Sequence, residues 1–114
     1  MFYNCYNEDA TILNYLFGYK IIKNNQCGFP INALNKVTNK LEEKKINYQI
    51  ITKDANPIIK DYRKRNNYHY ILSKAIDYVD FKNKVEWLKT QIDQIQDVEK
   101  LERFYNKLKD ELFR

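Results

Sequence analysis

Apolar residues follow two different periods along the chain, and the period changes near residue 73. From Met1 to about Ser73, short β-rich runs alternate with stretches that have helical spacing. From about Lys74 onward, apolar residues recur every three or four positions, which is typical of helices. We therefore predict an α/β unit over residues 1–73 and a helical unit over residues 74–114, packed together as one domain.

The first unit is predicted to follow the order β-α-β-α-β. Its predicted strands are rich in aromatic and β-branched residues and cover Phe2–Tyr6, Tyr19–Lys23 and Tyr48–Thr52. One predicted helix starts after Asn7 as N-cap and stops at Gly18, and a second runs from about Asn32 to Lys45. We expect the strands to share one mixed sheet with flanking helices. The turn residues Asn24-Asn25 favour one antiparallel pair within it.

Three shorter segments complete this unit. Cys27–Pro30 is predicted to be an extended entry to the second helix. Pro57, which follows Asn56, suits the first position of a new helix. Tyr68–Leu72 fits either a further strand or the start of the C-terminal helices.

Two apolar stripes with spacings of three and four residues mark the helical unit, and Asp97 between them suits an N-cap. The first stripe is Phe81, Val85, Leu88, Ile92 and Ile95; the second is Val98, Leu101, Tyr105, Leu108 and Leu112. We predict that they pack as an antiparallel helical hairpin. The flanking residues Trp87, Phe104 and Phe113 add apolar surface that would support a homodimer. The spacing alone is compatible with a hairpin packed within one chain and with an interface between two chains.

Composition limits how abundant residue types can be interpreted. The chain has 14 Asn, 13 Ile, 16 Lys and 10 Tyr among 114 residues, and all four have A/T-rich codons. This bias indicates an AT-rich genome, such as that of a low-GC bacterium, a phage or a mobile element. Abundant Tyr and Lys are therefore weak evidence of function.

The sequence contains no pattern expected of an active site. Cys5 and Cys27 form no CxxC pair, and His69 has no partner at metal-ligand spacing, so we expect reduced thiols, no metal and no cofactor. Phosphate-binding loops and nucleophile elbows are also missing, so we expect a protein that is not an enzyme. We found neither a membrane-spanning run nor a signal peptide, so the expected location is cytoplasmic.

Positive charge is concentrated in one segment. The net charge is +5, and residues 58–76 carry five basic residues against one acidic residue. Four of the five are Lys60, Arg63, Lys64 and Arg65. The segment suits contact with phosphates, and the alternative is an ordinary solvated surface.

Two stretches of the first 52 residues resemble the N-terminal mismatch-recognition domain of the MutS DNA mismatch-repair family. That family opens with D-F-Y-E-L-F-x-[ED]-D-A, and Met1–Ala10 reads MFYNCYNEDA in the same register. Its later motif G-[IV]-P-x-H-A-[VL]-x-x-Y-[IL]-x-K-L is similar to Gly28–Leu41, which reads GFPINALNKVTNKL and precedes the predicted strand at Tyr48. The family's connector, lever, clamp and ATPase domains have no counterpart in these 114 residues.

The resemblance implies a mixed sheet with flanking helices and a DNA contact near the start of the chain. In the family, the Phe of an F-x-E motif wedges beside a mismatched base, and the Glu hydrogen-bonds that base. Phe2 matches the Phe, whereas Asn4 replaces the Glu. Tyr3 is a further candidate for stacking on bases.

Two functions follow from these observations. The first is a small duplex-DNA-binding protein in which Lys60, Arg63, Lys64 and Arg65 hold phosphates while Phe2, Tyr3 and Asn4 contact mismatched or distorted bases. The second is a protein-binding adaptor or inhibitor, of a phage or mobile-element type, that kept the fold without the DNA site. A salt titration of duplex binding separates the two.

Overall fold

The computed structural model describes residues 1–113 and divides the chain into two compact units, Met1–Val79 and a second unit that begins at Asp80. All strands among these residues lie in the first unit. The second unit is helical, as the apolar spacing after Lys74 predicts. The chain is therefore α/β with a helical C-terminal region.

Three strands of the first unit form an antiparallel sheet. They are β1 (Phe2–Tyr6), β2 (Ile21–Ile22) and β3 (Gln26–Pro30), in the order β1-β3-β2. The central strand β3 turns Cys27 and Phe29 into the core, whereas Gln26, Gly28 and Pro30 are more exposed. The segment predicted as an extended entry to a helix is thus the centre of the sheet.

The turn before β3 forms as the sequence predicts. Asn24 and Asn25 have φ values of 62° and 54°. Asn adopts this left-handed region more readily than most residues, because its short polar side chain tolerates it. The turn makes β2 and β3 antiparallel neighbours. Only Ile21 and Ile22 of the predicted strand Tyr19–Lys23 pair with β3.

A second, two-stranded sheet holds the remaining strands. It pairs β4 (Tyr48–Ile50) with β5 (Ile58–Lys60) in antiparallel register. The prediction of one mixed sheet is therefore wrong, because every strand pair within residues 1–113 is antiparallel and β4 does not join β1. Pairing with a strand across a short loop costs less chain entropy than pairing with the distant β1. The helix predicted to begin at Pro57 is β5 instead, where two β-branched residues follow the proline.

The helices that cover the sheets are α1 (Glu8–Phe17), α2 (Leu34–Glu43) and the start of α3 (Tyr68–Asp93). Gly18 ends α1 as predicted: its φ is 78°, and its N–H donates to the Asn14 carbonyl at 2.8 Å. Asn7 precedes α1 but makes no side-chain cap, and its N–H donates to the Asn25 carbonyl instead. Tyr68–Leu72 is helical, so this segment is the start of the C-terminal helices and not a further strand.

The core of the first unit lies beneath these helices and is apolar. Its buried members come from α1, β3, α2, the loop between α2 and β4, and the first turns of α3: Ala10, Ile12, Leu13, Cys27, Phe29, Val37, Leu41, Ile46, Ile71, Leu72 and Ala75. Strand β1 contributes only partly buried side chains to it. The residues of the three-stranded sheet that face away from this core are partly or fully exposed.

The second unit contains the later part of α3 and helix α4 (Val98–Leu112). Asp97 caps α4 as predicted, because its Oδ1 accepts from the N–H groups of Glu99 and Lys100 at 3.0 and 3.3 Å. Among the described residues, no helix has both the length and the apolar character that crossing a membrane requires.

Candidate functional site

The outer face of the three-stranded sheet presents Phe2 and Asn4 to solvent. Alternation along β1 directs Phe2, Asn4 and Tyr6 outward and the residues between them inward. Phe2 is 64% exposed, and Tyr6 is 53% exposed. On β2, Ile22 is 57% exposed and extends this apolar surface. We call these four residues the outer sheet face.

Gly28 gives the Asn4 amide its position on that face. The two residues stand opposite each other in the β1–β3 register. A Cβ atom on Gly28 would lie 2.7 Å from Asn4 Oδ1, closer than such atoms approach. The Asn4 side chain therefore extends over the central strand at Gly28, and a larger residue there would make the flexible Asn4 amide rotate away.

Tyr3 lies on the opposite side of the strand from Phe2 and Asn4. Its ring centroid is 5.6 Å from that of the buried Phe29, and the side chain packs against the core. Tyr19 continues this inner aromatic row, with a centroid 6.1 Å from that of Phe29. Tyr3 is thus a packing residue in this conformation, and the structure does not bring it onto the face that carries Phe2.

The predicted basic segment includes a tight 3₁₀ turn at Arg63–Arg65, which we call the basic turn. Arg63 has a φ of 54°. Its N–H donates to Asp61 Oδ1 at 2.8 Å, and the preceding N–H, of Tyr62, donates to Asn47 Oδ1 at 2.7 Å. These bonds fix the turn to the start of β4. Its three basic side chains are exposed, and no carboxylate among residues 1–113 forms a salt bridge with them.

Lys60 differs from the basic turn in its partners. Its Nζ lies 3.7 Å from Glu42 Oε1 and 5.7 Å from the ring centroid of Tyr62. A neighbouring carboxylate reduces the charge that Lys60 offers to a phosphate. Lys60 and the basic turn belong to the β4–β5 region, whereas Phe2 and Asn4 belong to the three-stranded sheet.

A cavity of about 320 Å³ separates the two sheets. Residues 2–5 of β1 line one side, and residues 46–51, which include β4, line another. Aliphatic side chains of α1 and α2 form its apolar part: Ile12, Leu13, Val37 and Leu41. At the α3 end, the Tyr68 hydroxyl donates a short hydrogen bond to Asp9 Oδ1. Burial and the adjacent Asp9 carboxylate raise the pKa of Tyr68.

The two cysteines face each other beneath the sheet as free thiols. Cys5 on β1 stands opposite Cys27 on β3. Burial, with a smaller contribution from the nearby Cys27, raises the pKa of Cys5 to about 12, and burial also raises the pKa of Cys27. Thiols held protonated in this way are poor nucleophiles and poor metal ligands. Within the described residues, no group of three or more His, Cys, Asp or Glu side chains could hold a metal ion.

The apolar stripes of the second unit remain largely exposed. Ten large apolar side chains of this unit are between 36% and 81% exposed: Phe81, Trp87, Leu88, Ile92, Val98, Leu101, Tyr105, Leu108, Leu112 and Phe113. No described residue of α4 is buried. We call these ten residues the helical apolar surface. The packing of α3 on α4 as a hairpin therefore remains a prediction, and the stripes that it would bury are largely exposed.

Sequence reasoning missed several parts of these surfaces. Tyr6 belongs to the outer sheet face, and the period-two alternation of MFYNCY could have indicated this. Ile22 joins that face only through the pairing of β2 with β3. The cavity lies between the β1-β3-β2 sheet and the β4-β5 sheet, and the local sequence pattern does not indicate that these sheets are separate.

No family model, curated protein or solved structure matches this chain. The resemblance of residues 1–52 to the MutS mismatch-recognition domain therefore remains a prediction based on two motifs.

Proposed function

We propose that this chain is a small non-enzymatic DNA-binding protein that holds duplex phosphates through its basic turn. The observation that carries the proposal is the state of Arg63, Lys64 and Arg65. They are adjacent and exposed, and no salt bridge within residues 1–113 neutralises them. Contacts of this kind supply affinity for any duplex and are sensitive to salt, because each neutralised phosphate releases counterions.

The anchored backbone makes the basic turn suitable for this role. Its hydrogen bonds to Asp61 and Asn47 fix the main chain while the long side chains remain free to reach phosphates. A fixed backbone reduces the conformational entropy that binding would otherwise cost. Lys60 is expected to contribute less than the other three, because Glu42 already partners it.

Phe2 would supply a preference for mismatched or distorted duplex. An apolar ring inserted beside a base gains most where mispairing has already weakened stacking. Phe2 is 64% exposed, so its ring is accessible for this insertion. Asn4 offers a donor and an acceptor on the same face, held over Gly28, in place of the carboxylate of the MutS motif.

A salt titration of duplex binding tests the proposal directly. Fluorescence anisotropy with one matched duplex and one single-mismatch duplex would measure Kd across a range of salt concentrations. Three phosphate contacts predict that log K falls against log salt with a slope of about −2.7. If the protein does not bind duplex at low salt, DNA binding is excluded. If it binds both duplexes equally, Phe2 has no role in recognition.

A second candidate function is supported by the helical apolar surface. In this function the chain is a protein-binding adaptor or inhibitor of a phage or mobile-element type. The partner that we propose for this surface is a second copy of the chain. Ten large apolar side chains of this unit are each at least 36% exposed, and a second copy that covered them would remove apolar area from water. An unbound surface of this composition is costly in water, so covering it would stabilise the assembly.

Light scattering and the salt titration together separate the two functions. A concentration-dependent dimer with no duplex binding at low salt would favour the protein-binding candidate. A monomer at high micromolar concentration would exclude the dimer and leave DNA binding to be decided by its own assay.

A further inference from the structure

One edge of β1 is free of strand partners within the described residues. In the sheet order β1-β3-β2, β1 pairs only with β3. The flanking hydrogen bonds, Ile31 N–H to the Met1 carbonyl and Asn7 N–H to the Asn25 carbonyl, set the phase of the ladder. In an antiparallel pair, residues alternate between bonded and non-bonded positions. The odd-numbered residues of β1 therefore bond to β3, and Phe2, Asn4 and Tyr6 direct their N–H and C=O groups away from it.

The position of Pro30 supports this assignment of bonded and non-bonded positions. Pro30 stands opposite Phe2 in the register and has no N–H to donate. A proline fits that position only where the ladder with β1 needs no donor. Three N–H groups and three carbonyls of β1 thus lie along its free edge, separated by two residues, or about 6.6 Å.

The cavity between the sheets lies next to this edge. Residues 2–5 of β1 and residues 46–51 line the same space, yet β1 and β4 share no ladder. The space therefore lies between two strands of separate sheets. Its volume of about 320 Å³ is at the lower end of the range for ligand sites. Aliphatic side chains of α1 and α2 line it, including Ile12, Leu13 and Val37.

We propose that this cavity receives an extended peptide, which adds as a strand to the free edge of β1 and places an aliphatic side chain against α1 and α2. The repeat of donors and acceptors along the edge matches the repeat of an extended main chain, which no compact small molecule reproduces. The aliphatic lining selects Val, Ile or Leu at the position that faces inward. The site does not involve the basic turn, so peptide binding can be present or absent whether or not the protein binds DNA.

Hydrogen exchange on the unmodified protein gives the first test. The probe is a short blocked peptide of alternating threonine and valine with a lysine at each end. In the free protein, the amides of Phe2, Asn4 and Tyr6 should exchange faster than those of Tyr3 and Cys5, which bond to β3. Millimolar peptide should slow exchange at the three free amides. The same peptide N-methylated on alternate residues should not, because it cannot complete the ladder.

A pair of variants gives the second test. Asn4→Pro removes the free N–H at the centre of the edge without removing a bond to β3, and edge strands tolerate proline at such positions. It should weaken peptide binding by about tenfold, the effect of losing a main-chain hydrogen bond with its partner left unsatisfied. Asn4→Ala is the matched control: it removes the same side chain and keeps the N–H, so the difference in peptide affinity between the two variants reports the loss of the main-chain donor alone.

Three outcomes would overturn the proposal. The first is slow exchange at Phe2, Asn4 and Tyr6 in the dilute free protein, which would show that the edge is already covered. The second is equal binding of the plain and N-methylated peptides, or none of either. The third is protection that grows with protein concentration and without peptide, which would assign the edge to a second copy of the chain.

Discussion

Neutralising the basic turn is the most direct perturbation of the proposed DNA contact. The variant combines Arg63→Asn, Lys64→Gln and Arg65→Gln. Asn is chosen at position 63 because the φ of 54° there lies in the left-handed region, which Asn tolerates well. The hydrogen bonds that fix the turn use main-chain N–H groups at positions 62 and 63, so the substitutions leave their donors in place.

The size of the effect follows from the number of free charges. Three unpaired side chains that each contact one phosphate contribute about 2.7 to the slope of log K against log salt. Between about 50 mM and 200 mM salt, that slope corresponds to a loss of about 40-fold in affinity. The variant should bind weakly at low salt and lose little more as salt rises. Lys60 would sustain only a small residual slope, because Glu42 lies 3.7 Å away.

A charge-matched control separates local contact from overall charge. Lys100→Gln, Arg103→Gln and Lys107→Gln remove three exposed positive charges from α4, so both variants change net charge equally. Anisotropy with matched duplex would compare both with the unmodified protein. The control should keep the salt slope. Equal loss of slope in the two variants would refute the basic turn as the contact and leave only general electrostatic attraction.

Three further predictions test other parts of the molecule. Phe2→Ala should lower the preference for mismatched over matched duplex by about 1–3 kcal/mol, measured as a ratio of Kd values, whereas Tyr6→Ala on the same face should not; equal effects would exclude a specific wedge. The pKa of about 12 for Cys5 predicts that stability to denaturant falls as pH rises above about 9, because the unfolded thiol loses its proton there and the folded thiol keeps it; Cys5→Ala should flatten this dependence, and an unchanged curve would contradict it. Leu101→Lys with Leu108→Lys should convert a homodimer to monomer in light scattering, and the interface is wrong if the mass stays that of a dimer.

Local signals predicted the parts of the fold that local chemistry decides. Gly18 ends α1 because a left-handed residue closes a helix at little cost when it lacks a Cβ atom. Asp97 caps α4 through the side-chain acceptor that the sequence offers there. The Asn24-Asn25 turn formed for the same kind of reason, since both residues accept positive φ. In each case the deciding contacts lie within a few residues.

The prediction failed where the deciding contact lies elsewhere in the chain. Residues 27–30 are extended as predicted, but their glycine and proline gave no indication that they form the central strand β3. Gly28 stands there opposite Asn4, whose amide extends over it, and Pro30 stands where the ladder with β1 needs no donor. The assignment of β4 to the sheet of β1 failed because β5 lies nearer in sequence.

The candidate sites divide in the same way. The exposure of Phe2 and the inward position of Tyr3 follow from strand alternation, which the sequence displays. The unpaired state of the basic turn and the pairing of Lys60 with Glu42 depend on how β5 meets α2. Whether a cluster of basic residues is free to bind is therefore a property of the fold, even where its presence is evident in the sequence.

The position of β1 at the edge of its sheet links the two proposed sites. An edge strand exposes the side chains of one face and also a row of main-chain donors and acceptors. In β1 these belong to the same residues, because Phe2 and Asn4 direct their side chains toward the outer sheet face and their main-chain groups away from β3, and both residues line the cavity. A strand added at the cavity would fix the backbone that carries Phe2, and a fixed backbone loses less entropy when the ring inserts beside a base. We therefore expect peptide bound at the cavity to strengthen, rather than compete with, any preference of Phe2 for mismatched duplex.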